Sequence, residues 1–175
     1  MSRAAPVFWV FVFNALLLAG MIEANHILAP YGVSLHLHVL LVLFAGLYLR
    51  ILHGAVIALL LGSMLDALDT PGFGPLLLLI TALWTGAVYL RLRIRRQVTF
   101  QIRMSALGLQ AAFLAAATVF FGLGSIAIAA FWQRLAIDAA LSLALVTFLA
   151  PLWLRLQIRL LETFRWDIAA ERPEG

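Results

Sequence analysis

The stretch GAVIALLLGSMLDALDTPGFGP, residues 54–75, decides how this chain is built. From Gly54 to Leu65 it is apolar apart from Ser63. It then meets an acid, Asp66, and turns through Pro71, Gly72 and Gly74 into a second apolar run from Leu76. Hydrocarbon offers no water to an open backbone, so such a run reads as a membrane helix. Gly54 to Leu65 alone is short for a crossing, so either the helix begins before His53 or Asp66 sits inside the bilayer edge. An acid at that depth needs a partner: an arginine, backbone N–H groups or a helix N-terminus. The helix that starts beside Pro75 turns its positive dipole end toward Asp66. Gly62, one turn before the acid, lets another element approach closely.

The rest of the chain repeats the pattern. It has 175 residues, 65% of them hydrophobic, which is more apolar surface than a soluble domain of this size can hide. Further spans read as Pro6–Ile22, Leu35–Leu49, Leu76–Leu90, Met104–Phe121 and Leu135–Leu154. The expectation is an all-α integral membrane protein, a bundle of about six transmembrane helices forming a single domain over residues 1–175. Residues 23–32 read as a loop. Residues 155–170 read as a basic amphipathic cytoplasmic tail, with Arg155, Arg159 and Glu162 on one face and Leu156, Leu160 and Phe164 on another.

All twelve basic residues are arginine, and the net charge is +4. Placing the N-terminus inside puts Arg3, Arg50, Arg91, Arg93, Arg95, Arg96, Arg103, Arg155, Arg159, Arg165 and Arg172 on the inner side and Arg134 alone outside. The positive-inside rule therefore predicts both ends in the cytoplasm. The charge beside apolar runs points to anionic lipid and topology, not nucleic acid. The cluster Arg91, Arg93, Arg95, Arg96 and Arg103 is a topology anchor, or a docking site for a filament or lipid. With no cysteine, thiol chemistry and disulfides are excluded.

Other polar residues read as local. His36 and His38, two apart on a helix, point to different faces and hold no metal. His26 and His53 fall on opposite sides of the membrane. No histidine base stands near Ser63, Ser105 or Ser125, which leaves no serine hydrolase. Arg134 and Asp138, four apart, can pair across one turn. Trp84, in mid-span, packs between helices, whereas the other tryptophans read as interface anchors. Ala15 and Ala19 form a small-xxx-small pair, a possible docking face for a partner helix in a chain where alanine is common.

The order Gly62, Asp66, Gly74 resembles MreD, the small membrane subunit of the bacterial cell-elongation machinery. Its members carry a glycine, an aspartate after three intervening residues, and a glycine in the turn before the next helix. Size, span number, the basic loop after the fourth span and a last span with a proline (Pro151) and basic tail fit the same pattern. The resemblance implies a non-enzymatic scaffold in the bacterial cytoplasmic membrane, without cofactor or metal. It implies MreC as partner and, through it, the RodA synthase with its transpeptidase and MreB. It also implies a fold like the substrate-binding subunits of ECF-type vitamin importers. Such an importer subunit is one alternative function, with Asn25, His26, Asp66, Asp69 and Gln133 as the scarce polar groups for a ligand. A phosphatidyltransferase is another. Its motif would use Asp66 and Asp69 on a divalent metal, but the second spacing is two residues instead of three and the upstream half is missing.

Overall fold

The computed structural model describes residues 5–68, 74–91, 99–122 and 129–163. They form six α-helices and no strand: α1 (Ala5–Leu28), α2 (His38–Tyr48), α3 (Ile51–Leu68), α4 (Pro75–Arg91), α5 (Thr99–Gly122) and α6 (Ala129–Thr163), with one 3-10 turn, Ala29–Tyr31, after α1. Four segments are long and apolar enough to cross a membrane: Val7–Tyr31, Ile51–Leu68, Thr99–Phe121 and Ala129–Thr163. The chain is a helical membrane protein. α2 and α4 are shorter apolar helices.

Several boundaries move from the sequence reading. α1 continues past Ile22 to Leu28, so Glu23, Asn25 and His26 lie on a helix and not in a loop. Asn25 spends its amide on another segment, so it does not compete for its own helix backbone. α3 both starts before His53 and carries Asp66 inside it. α6 runs 35 residues without a break through Pro151. At about 1.5 Å per residue it is roughly 52 Å long, well beyond a hydrocarbon core of about 30 Å. The start of the predicted basic tail is thus the end of α6, and residues 164–170 lie outside the described residues.

The largest departure is at the second predicted span. Residues 33–37 are not helical, and α2 is only 11 residues long. Every residue from His38 to Leu47 is buried, because α2 packs against α1, α3, α4, α5 and α6. A helix that is apolar all round belongs in the middle of a bundle, and this one forms its axis.

Small residues set the spacing around it. A Cβ on Gly46 would lie 2.5 Å from the Ala87 Cβ, and one on Gly54 would lie 2.9 Å from the Ala45 carbonyl oxygen and 2.5 Å from Trp84 Nε1. A Cβ on Gly62 would lie 2.9 Å from Leu77 Cα. Gly54, Ala58, Gly62 and Asp66 recur every fourth residue and are all buried, forming one smooth seam on α3. The pairings also fix direction. Gly54 meets Trp84 while Gly62 meets Leu77, so α3 and α4 are antiparallel. Gly46 meets Ala87, and Arg91 Nη1 donates to the Leu49 carbonyl, so α2 and α4 run in parallel. Lipid tails are as apolar as leucine, so close backbone approach, not hydrophobic burial, holds such helices together. Hydroxyls on the helices are tied down too: Thr81, Thr85, Ser105, Thr118, Thr147 and Thr163 each donate to the carbonyl four residues back.

This packing gives a direct comparison. Gly62→Ala pushes a methyl against backbone that cannot move cheaply, and is expected to cost about 1–3 kcal/mol. Gly20→Ala on α1 meets nothing within 4 Å and is expected to be neutral or slightly stabilising. Thermal unfolding of the two variants in one detergent checks this; equal melting temperatures would refute the close-packed seam.

Candidate functional site

Besides Arg91 at the end of α4 and the buried pair in which Gln157 Nε2 of α6 donates to Asn14 Oδ1 of α1 (2.9 Å), buried polar chemistry gathers in two places at the end of the bundle where α1, α3 and α5 finish. The first is the joint between α3 and α4. Gly74 is the N-cap of α4: its carbonyl accepts the first helical bond, from Leu78 N–H at 2.9 Å, and its φ of 129° lies in the region glycine favours. A glycine cap has no side chain to offer the first turn. Asp66 supplies one from α3. Its Oδ2 accepts the N–H groups of Gly74 (3.0 Å) and Leu77 (2.9 Å), and its Oδ1 accepts Leu76 N–H (2.9 Å). Pro75 has no N–H. Every first-turn donor that a helix normally leaves open is therefore absent or satisfied. Asp66 is 4% exposed, and Gly62, one turn back on the same face, brings Leu77 near enough for the bonds to form.

Of the residues singled out in the sequence, Gly62, Asp66 and Gly74 thus come together. Asp69, Pro71 and Gly72 lie outside the described residues, as do Arg93, Arg95 and Arg96. Arg91 is not exposed. It is buried at the end of α4 and donates to the Leu49 carbonyl at the C-cap of α2, where a cation complements the helix dipole. Arg103 lies on the first turns of α5, half-buried. Ala15 packs against the core, whereas Ala19 faces outward, so the pair straddles the edge of the buried face of α1. Beside them α1 and α6 part around an apolar groove of about 480 Å³ lined by Leu16, Leu17, Gly20, Met21, Trp153 and Leu156.

The second place, which sequence reasoning missed, is the non-helical segment 33–37, an extended approach whose last residue, Leu37, already turns into α2 (φ −106°, ψ 26°). It runs between α1 and α6, and its N–H groups alternate between them. Ser34 N–H donates to Asp138 Oδ1 (2.8 Å) and His36 N–H to Ser142 Oγ (2.9 Å), both on α6. Leu35 N–H donates to Asn25 Oδ1 (2.6 Å) and Leu37 N–H to Met21 Sδ (3.4 Å), both on α1. Asn25 Nδ2 also donates to the Leu35 carbonyl (3.0 Å), so one side-chain amide does the work of a neighbouring strand. The registers match because two extended residues advance about 6.6 Å and four helical residues about 6 Å. Asp138 and Ser142 are four apart, as are Met21 and Asn25. At the start of α2, Val39 N–H donates to Gln110 Oε1 of α5 (3.3 Å), and Leu40 N–H returns to the Leu37 carbonyl.

The break before α2 also corrects the histidine reading. His38 opens α2 while His36 precedes it outside the helix, so helical spacing does not separate them: their rings stack, with centroids 5.8 Å apart, and His38 stacks in turn on Phe113 at 4.4 Å. Among the described residues no three metal-ligating side chains converge. Asp138 takes its strong bond from the Ser34 backbone; Arg134 approaches it only at 3.9 Å. Trp84 sits between helices against Gly54, as expected.

Two sets of variants test these sites. Asp66→Leu strands three N–H groups, each costing about 1–3 kcal/mol if left buried and unpaired, and is expected to abolish folding. Asp66→Asn keeps one acceptor oxygen and should lose stability to a smaller degree, as seen by size-exclusion profile and melting temperature. Asn25→Ala and Ser142→Ala should each speed amide hydrogen exchange within residues 33–37 while leaving α3 and α4 protected. Unchanged exchange in both would show that the segment is not held by these side chains.

Comparison with family models, curated proteins and solved structures finds no match to this chain.

Proposed function

We propose that the chain is a non-enzymatic scaffold subunit of the bacterial cell-elongation complex, an MreD-like protein of the cytoplasmic membrane. The observation that carries this reading is that Gly62, Asp66 and Gly74, the residues on which the resemblance rests, form one structural joint. A motif whose acid is consumed by backbone N–H groups builds a rigid corner. It does not present a reactive carboxyl group.

The same geometry weakens the phosphatidyltransferase alternative. A divalent cation would need the oxygens of Asp66 that three N–H groups already occupy. The importer alternative draws little support from the cleft at this end of the bundle, which is lined mainly by apolar side chains.

In this reading the chain crosses six times, with both ends inside and a fold of the importer-subunit type. α2 with its extended approach, about 16 Å of helix and a similar length of strand, matches the thickness of the hydrocarbon. The partners are MreC and, through it, the RodA synthase with its transpeptidase and the MreB filament. The basic loop after α4 and the end of α6 face the cytoplasm.

The test is affinity capture of the tagged full chain from detergent-solubilised bacterial membranes, with mass spectrometry of what co-purifies. MreC and the RodA pair are expected. An ATPase pair with a membrane coupling subunit would overturn the scaffold reading in favour of an importer.

A further inference from the structure

At the end of the bundle that holds Asp66, α5 and α6 diverge. Leu114, Ala117, Thr118 and Phe121 on α5 face Phe131, Arg134, Leu135 and Asp138 on α6, each set at the i, i+3, i+4, i+7 spacing of a single helix face. Two matched faces should interdigitate. Here they enclose a cleft of about 320 Å³ that reaches His36 of the extended segment. That is large enough for a small ligand or part of an acyl chain. An apolar cleft that meets the bilayer is filled by lipid rather than water.

Among the described residues that line the cleft there is one arginine. Arg134 is 60% exposed on its side chain and stands at the rim. If the chain crosses six times with both ends inside, it is the arginine left on the side opposite the other eleven, against the usual bias. Its neighbours hold it loosely: Asp138 lies 3.9 Å from Nε and the Ser34 hydroxyl 3.5 Å from Nη2. Asp138 is not free to neutralise it fully, because its Oδ1 is turned inward onto Ser34 N–H at 2.8 Å. Both contacts are made through Nε and Nη2. A guanidinium has five donors in a fork that suits phosphate.

We propose that this cleft binds an anionic phospholipid of the leaflet on the Asp66 side, its phosphate on Arg134 and an acyl chain between α5 and α6. The site is independent of the scaffold reading. It would place a lipid against the α6 residues Asp138 and Arg134 that hold the extended segment, so lipid composition would bear on how firmly α2 is seated.

The experiment uses the full chain in neutral detergent, with native mass spectrometry during titration by phosphatidylglycerol or phosphatidylcholine. The wild type should retain phosphatidylglycerol in preference. Arg134→Gln should weaken that retention roughly tenfold, the size of one lost charge-assisted bond, and Arg134→Lys should restore most of it. Ala117→Trp, which fills the apolar wall, should lower retention of both lipids. Because Arg134 is largely exposed, the Gln and Lys variants keep the fold, so this pair decides the matter even if Ala117→Trp does not fold. Equal retention of phosphatidylglycerol by wild type and Arg134→Gln would overturn the proposal. So would competition by glycerol phosphate at the concentration at which the lipid binds, which would mark a site for soluble anions with no place for a chain.

Discussion

A backbone N–H in hydrocarbon has no water to fall back on, and this chain meets that constraint with side chains lent from one segment to another. Asp66 closes the first turn of a helix it does not belong to. Asn25, Met21, Asp138 and Ser142 do the same for a stretch that is not helical at all, and Gln110 for the first turn of α2. In both places the donor is main chain and the acceptor lies on another element. Each bond therefore fixes the position of one element against another as well as satisfying a polar group. The bundle depends on these few bonds because its apolar surfaces, packed against apolar lipid, supply little preference of their own.

The short α2 follows from this arrangement. A central helix touching all its neighbours gains the most dispersion contact per residue, but the chain must reach that axis from the edge. A helix entering there would need space for its full width. An extended strand is narrower, and its cost is a row of open N–H groups. Helices α1 and α6 flank that row with acceptors at a four-residue spacing, which nearly equals two residues of strand. The glycines complete the fit on the far side: Gly46 against Ala87 and Gly62 against Leu77 draw α4 close to α2 and α3. At that distance the N-terminus of α4 comes within reach of Asp66.

Much of this was legible in the residues, but not evenly. The apolar runs mark α3, α4, α5 and α6, since their length and uniformity admit no other structure in lipid. The partner of Asp66 could be anticipated from the cost of an intramembrane acid and the nearness of Pro75. The extended segment was hidden under the apolar run that follows it. Its own signal is the alternation of Ser34, His36 and His38 with Leu35 and Leu37, a period of two directly after Gly32, whose φ is 69°. Read as helix, the same residues scatter around the axis and the histidines separate. Asn25 falls in the stretch that reads as a loop, and Ser142 and Gln110 carry no local signal within their apolar helices. Their roles emerge only when three distant segments, up to 106 positions apart, are brought together, and local pattern carries no information about that.

The outer surface obeys different logic. Phe8, Leu16, Leu52, Leu78, Phe100 and Phe148 are all more than half exposed, which on a soluble protein would mark docking patches. On a membrane bundle they are simply the lipid face, and exposure alone singles out nothing. What distinguishes a part of this surface is a departure from bulky apolar cover: the bare backbone at Gly20 beside Ala19, or the charge of Arg134 over a cleft. Partner or lipid selectivity has to arise at such points, because a neighbouring helix or headgroup can gain there what bulk lipid tails cannot provide, namely close backbone contact or a satisfied charge.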